Sequence, residues 1–371
     1  MKTNPLKTLG TLGQSIWIDY IKRDLFIDGK LKTLISEYCL RGMTSNPSIF
    51  EKAIAESNDY DVAIKTLSAE KKDVNAIYEA LTQKDVQDAA DEFRHLYDET
   101  KGLDGYVSLE VNPHLAHDTE GTLIEARRLW KALNRPNVLI KVPATKEGLP
   151  VIKQLISEGI NVNVTLLFGL ERYREVAEAY IAGIEARLAL GQPVKNIASV
   201  ASFFLSRIDA LIDPMLAKKT IEHDDEMVNN TDNVEGETAI ASAKLAYQIY
   251  ETLFKSDHFK KLAENGAVVQ RLLWASTSTK NPAYSDIKYV EALIGPETVN
   301  TLPLETIEAY RDHGDPALRL NTDIQEAEHA FEVLSALAIN IDQLTQQLED
   351  EGVDKFKKSY DQLMKTLENK I

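Results

Sequence analysis

The chain reads as an α/β protein of the (β/α)8 TIM-barrel class, and three observations carry that reading. Eight short β-branched or apolar runs recur along its 371 residues, most are followed by a longer stretch with helical periodicity, and no domain-sized linker interrupts the alternation. Short apolar strands that alternate with helices belong to a parallel sheet joined by crossovers. Eight such units close into a barrel more readily than they spread into an open sheet. A prior of roughly 150 residues per domain allows two or three domains, but one α/β barrel can run to about 400 residues with insertions. Residues 1–371 are therefore expected to form a single barrel domain.

In order, the strand runs are SIWIDYI (15–21), RGMTSN (41–46), YVSLEV (106–111), VLIKVPA (138–144), NVNVTLLF (161–168), IASVASFF (197–204), VVQRLLWAS (268–276) and TVNTLP (298–303). The stretches Thr119–Ala132, Glu147–Ser157, Leu170–Leu190 and Ala239–Phe254 are rich in Ala, Leu, Glu and Lys and predict helices. Two additions lengthen a minimal barrel: helical stretches in 51–102, between strands two and three, and a C-terminal helical extension over 325–371. Apolar residues at helical spacing in that extension predict packing on the barrel, with a partner interface as the alternative. The polar, acidic stretch 217–236 reads as a surface loop.

With 44% hydrophobic and 27% charged residues, the composition is that of a folded protein. No apolar run of about 18 residues is present, and the first residues lack a secretory pattern, so a cytoplasmic protein without membrane association is expected. A net charge of -16 argues against nucleic acid as a partner but permits a small phosphorylated substrate held by a few local cations. The lone Cys39 agrees with a reducing compartment and reads as a buried structural thiol. The 7 histidines show no metal-ligand spacing, so no metal site is expected.

Barrel enzymes assemble their sites at the C-terminal ends of strands, which makes the polar residues interrupting these runs informative. Lys141 lies mid-strand in VLIKVPA, where an unpaired ammonium is costly to bury. It is either paired there or held neutral, and a neutral amine can attack a ketone and form an iminium. Asp19 in SIWIDY and Glu110 in VSLEV could divide the proton transfers of such chemistry, or serve only as ion-pair partners. Thr44, Asn46, Asn163, Thr165 and Ser202 suit a polyhydroxylated substrate and a water, while each alone could be a strand-end or turn residue; Asn46–Pro47 in particular reads as a turn initiator. Arg207 and Lys280, each beyond a strand and near hydroxyl residues, could hold a phosphate, or could be solvated surface cations.

Taken together, SIWIDYI, TSNPSIF, VSLEV, IKVPATKEGL, NVTLLF, FFLSRID and LWASTSTKNPAYSD resemble the transaldolase family over most of the chain. The resemblance implies one (β/α)8 barrel with the Schiff-base lysine on its fourth strand, the position Lys141 holds in the strand order. It implies transfer of a dihydroxyacetone unit from sedoheptulose 7-phosphate to glyceraldehyde 3-phosphate, giving erythrose 4-phosphate and fructose 6-phosphate, in the pentose phosphate pathway without any cofactor. By that resemblance Asp19 is the base for carbon–carbon cleavage, and Glu110 an acid/base working through a water placed by Thr165. Asn46 and Asn163 hold the dihydroxyacetone hydroxyls, and Ser202 and Arg207 bind phosphate. Shorter members carry arginine where Lys280 stands; STSTKNP is similar to a longer subgroup that includes the transaldolase part of transaldolase/glucose-6-phosphate isomerase fusions. No isomerase activity is expected at this length. A fructose 6-phosphate aldolase and a non-catalytic sugar-phosphate-binding barrel remain as alternatives, and either a monomer or a homodimer is expected.

Overall fold

A computed structural model describes residues 4–222 and 234–371. Its centre is a closed barrel of eight parallel strands in sequence order. These are β1 (Gln14–Asp19), β2 (Gly42–Thr44), β3 (Tyr106–Glu110), β4 (Val138–Pro143), β5 (Val162–Leu167), β6 (Ser199–Phe204), β7 (Arg271–Ala275) and β8 (Thr298–Leu302). Every strand run expected from the sequence holds one of them. All eight are shorter than their runs, β2 and β7 by the most. β2 stops at Thr44 because Asn46 already caps the next helix, accepting from the Ile49 amide at 3.0 Å. β7 begins at Arg271 because Val268 is exposed and its carbonyl accepts from the Tyr180 hydroxyl at 2.7 Å.

Helices follow the strands as the periodicity predicts, among them Thr119–Leu133, Gly148–Glu158, Leu170–Ala189 and Thr238–Phe254. Pro47–Ala55, Asp61–Ala69, Val74–Glu92 and Arg94–Glu99 fill the insertion between β2 and β3. The stretch 217–236 is not a loop throughout. Helix Ser206–Glu222 runs into it, Gly236 donates its amide to Asp213 at 2.8 Å, and residues 223–233 lie outside the described ones. Cys39 is half-buried, not fully buried, and its φ of 57° marks it as a turn residue beyond helix Lys30–Glu37.

The C-terminal extension consists of two helices, Ile324–Ala336 and Ile341–Lys370. Asn340 starts the second, its side chain accepting from the Gln343 amide. Leu348, Gly352, Phe356, Tyr360, Leu363 and Leu367 recur at steps of three and four and form its buried stripe. That stripe packs on Pro47–Ala55 and Val74–Glu92. Three polar ties fix it: a buried Arg172–Glu349 ion pair at 3.2 Å, a Ser48–Ser359 hydroxyl contact at 2.7 Å, and Lys370 to Asp61 at 2.8 Å. Packing on the barrel is thus what the extension does in this chain.

Side chains along a strand alternate between faces, so Ser15, Trp17 and Asp19 share one face of β1. Trp17 fills the barrel over its register partner Gly42, where a Cβ would lie 2.6 Å from the indole ring. Below it, Arg271 of β7 donates to Ser15 at 2.9 Å and pairs with Asp104 at 3.0 Å, closing the N-terminal end. Above it lies the layer that holds Asp19. Replacing Arg271 by Met leaves Asp104 buried without its cation and should cost about 3–5 kcal/mol. Urea unfolding checks this; adding Asp104→Asn should recover a large part of the loss.

Candidate active site

At the C-terminal end of the barrel, a cavity of about 340 Å³ is lined by Asp19, Thr44, Asn46, Lys141, Thr165, Ser202, Arg207 and Lys280, eight of the ten residues singled out from the sequence. The other two, Glu110 and Asn163, are buried behind its wall. A larger cavity of about 720 Å³ opens at the opposite end, beside the already matched Asp104–Arg271 pair. Barrel chemistry belongs to the C-terminal end, where the strand-end polar residues converge.

Strand register explains the convergence. Lys141 lies between register partners Glu110 on β3 and Asn163 on β5, and Asp19 on β1 lies opposite Thr44 on β2. The Lys141 ammonium is buried, donates to the Ser45 carbonyl at 2.9 Å, and stands 3.5 Å from Glu110 Oε2. A lysine here is tolerated because it is paired, as burial of a charge requires.

The two carboxylates differ. Burial pushes Glu110 up to about 7, a rise helped by Asp19 and opposed by the charge and hydrogen bonding of Lys141. Neither of its oxygens has a conventional hydrogen-bond partner, and Thr165 Oγ1 is likewise buried without one. Glu110 also borders a separate polar cavity of about 280 Å³ with Tyr78, Thr82 and Tyr360. Asp19 is raised by burial too, against the pull of Lys141 and a hydrogen bond from Thr44. That bond is 2.6 Å long, and Thr44 in turn lies 2.8 Å from the Thr301 hydroxyl. With Thr44 donating to Asp19, Thr301 donates to Thr44, and the chain orients the carboxylate from β8 through β2.

The neutral residues fall into two groups. Asn163 donates to Ser108 at 3.1 Å and accepts from Ser202 at 2.7 Å, so Ser202 spends its proton inside the barrel and is a weaker phosphate donor than the family resemblance implied. Asn46 uses its carbonyl oxygen as the cap of Pro47–Ala55, which leaves the amide group of a cavity-lining residue as its donor. Thr165 adjoins an irregularity in the β5–β6 register, where Leu166 takes a φ of 56°. Such a bulge bends the strand and re-aims neighbouring side chains.

Arg207 follows β6 at the start of Ser206–Glu222, its guanidinium carbon 5.6 Å from the Phe204 ring centre. Burial lowers its pKa, and burial with the nearby Arg207 and Lys52 charges lowers that of Lys280, which donates to Ser278 at 2.8 Å. Sequence reasoning missed Lys52, Thr301, Lys355, Phe356 and Ser359, all of which line the cavity. Lys52, Lys355, Phe356 and Ser359 lie on helices outside the strand runs; Thr301, near the end of β8, carried the strand-end signal and was overlooked. Among the described residues, no helix is long and apolar enough to cross a membrane and no group of three or more His, Cys, Asp or Glu is arranged to hold a metal.

The chain is similar over its length to known proteins. The family model described as transaldolase/fructose-6-phosphate aldolase matches residues 16–367. A protein named transaldolase from Trichodesmium erythraeum is 52% identical, with 100% of this chain and 98% of the relative covered. One of the same name from Saccharopolyspora erythraea is 47% identical, covering 100% and 99%. Transaldolase 2 of Nostoc punctiforme is 47% identical, covering 100% and 98%.

The raised Glu110 carboxyl gives a pH test. Its charged form is disfavoured, so it should hold its proton through mildly acidic solution and lose it as pH rises through about 7. Infrared difference spectra should show a protonated-carboxyl band that fades over that range and is missing from Glu110→Gln. An identical band in the variant would assign it elsewhere.

Proposed function

The chain belongs to the transaldolase/fructose-6-phosphate aldolase family as a transaldolase, and we propose that its reaction runs at the C-terminal mouth with Lys141 as the amine that holds the donor. The observation that carries this is the placing of one buried lysine on β4 beside two raised carboxyls, Glu110 on the adjacent β3 and Asp19 on β1. The donor sedoheptulose 7-phosphate enters with its phosphate toward Arg207 and Lys280 and its ketone at Lys141. Glu110, 3.5 Å away and with a carboxyl titrating at about 7, is suited to take the proton that the amine must lose before it attacks. Addition gives a carbinolamine. Its hydroxyl leaves as water, with a proton supplied by Glu110 through a water held at Thr165, and the iminium remains.

Asp19 then removes the proton of the C4 hydroxyl. The C3–C4 electron pair becomes the C2=C3 double bond as the C=N π pair withdraws to nitrogen, erythrose 4-phosphate departs as the aldehyde, and a three-carbon enamine stays on Lys141. Asn46 and Asn163 are the residues proposed to hold its hydroxyls, with Ser202 fixing the Asn163 side chain and Thr44 orienting Asp19. Attack of the enamine on glyceraldehyde 3-phosphate reverses these steps, and hydrolysis releases fructose 6-phosphate. Burial keeps water from the enamine until the acceptor arrives. The single cysteine and the acidic surface fit a cytoplasmic protein working on small sugar phosphates as a monomer or homodimer.

Lys141→Arg retains a cation but not the amine nucleophile, so transfer should fall by on the order of 10⁴-fold or more. A coupled assay of fructose 6-phosphate formation checks this, and near-normal transfer would move the nucleophile elsewhere. Asp19→Asn should lose about 10²- to 10⁴-fold in the same assay while still forming an uncleaved, reducible adduct with the donor. Release of free dihydroxyacetone without an acceptor, at the rate of transfer, would make the enzyme an aldolase.

A further inference from the structure

The tail helix Ile341–Lys370 is not merely packed against the barrel. At Gly352 it comes so close that an added Cβ would lie 2.9 Å from Leu166 Cδ2 and 3.5 Å from Arg207 Nη1. Residues three, four and seven positions beyond a helical residue share its face. Those residues are Lys355, Phe356 and Ser359, and all three line the cavity. Ser359 is tied to Ser48 of helix Pro47–Ala55, and Lys52 of that helix lines the same cavity. Besides Lys141, four cations from four parts of the chain thus surround one space: Lys52, Arg207, Lys280 and Lys355.

Among the described residues, none of the four makes a carboxylate ion pair. Glu51 also lines the cavity, and Glu351 and Glu305 act on Arg207 and Lys280 only at longer range. The cations burden one another instead: the Lys355 pKa is lowered chiefly by Arg207, then by burial, Lys280 and Lys52. A chain of net charge -16 that gathers these four cations with none of them in a carboxylate ion pair among the described residues is built for an anionic ligand. The polar ties of the tail, Arg172–Glu349 and Lys370–Asp61, hold this repelling set together.

We propose that the tail helix is a working wall of the active site and that Lys355, with Lys52, binds the phosphate of donor and acceptor sugars alongside Arg207 and Lys280. The inference rests on the reading that substrate phosphate enters at Arg207. Because donor and acceptor are both phosphorylated and occupy the mouth in turn, one cation set serves both, and the tail sets the preference for phosphorylated over neutral sugars.

The test uses the full-length protein carrying Lys355→Met or Lys355→Arg. Inorganic phosphate serves as a calorimetric ligand, and fructose 6-phosphate and fructose are compared as donors at fixed acceptor. Lys355→Met should weaken phosphate binding and raise KM for fructose 6-phosphate by about 5- to 10-fold. The kcat/KM ratio of fructose 6-phosphate to fructose should fall alike, and Lys355→Arg should restore most of it. Phosphate binding and donor ratio within twofold of wild type in Lys355→Met would overturn the proposal. So would equal loss with both donors that arginine does not rescue, the mark of a purely structural lysine. Phosphate binding is read without turnover, so failure of the wild type to transfer would count against the catalytic reading alone.

Discussion

Burial of the Lys141 ammonium is the constraint on which the rest of the structure depends. A charge held at full burial must be matched, and here the matching groups are the Ser45 carbonyl and the Glu110 carboxylate, with Asp19 close enough to feel the lysine's charge. Those groups come from β1, β3 and the segment after β2. Their meeting requires the barrel to close in one register, with Glu110 opposite Lys141 and Asp19 opposite Thr44. One slip of a single residue would turn any of these side chains to the other face. The Trp17–Gly42 contact and the Arg271–Asp104 floor hold the lower barrel beneath that layer.

The same burial prepares the chemistry. Desolvation that would be a plain cost in a structural ion pair raises both carboxyls, and it brings Glu110 to about 7, where it can exchange protons near neutrality. The hydrogen bond from Thr44 gives Asp19 a fixed direction, while the Glu110 oxygens and the Thr165 hydroxyl are buried without a hydrogen-bond partner. One carboxylate is thus oriented and the other is open to a shuttled water, a division that suits cleavage and iminium formation respectively.

Much of this was legible in the sequence because a barrel converts strand position into spatial position. Eight runs in order, the first six with a polar residue singled out near the end, located much of the interior layer before any coordinates, and Lys141 on the fourth strand fell between its partners. Residues whose roles depend on distant packing were not legible. Ser45 acts through its backbone carbonyl, which no side-chain pattern reveals. Lys355 lies 148 positions after Arg207 on a helix that looked like ordinary barrel cladding; only the close approach at Gly352 brings it to the mouth. Ser202 was placed in the right cavity, but its proton is committed to Asn163, a pairing across β5 and β6 that local sequence does not specify.

The central claim is that Lys141 carries the substrate. Its most direct test is borohydride reduction in the presence of fructose 6-phosphate, followed by peptide mass mapping. A reduced three-carbon adduct on Lys141 is the result this structure predicts. An adduct on another lysine, or undiminished transfer with Lys141 unmodified after reduction, would contradict it.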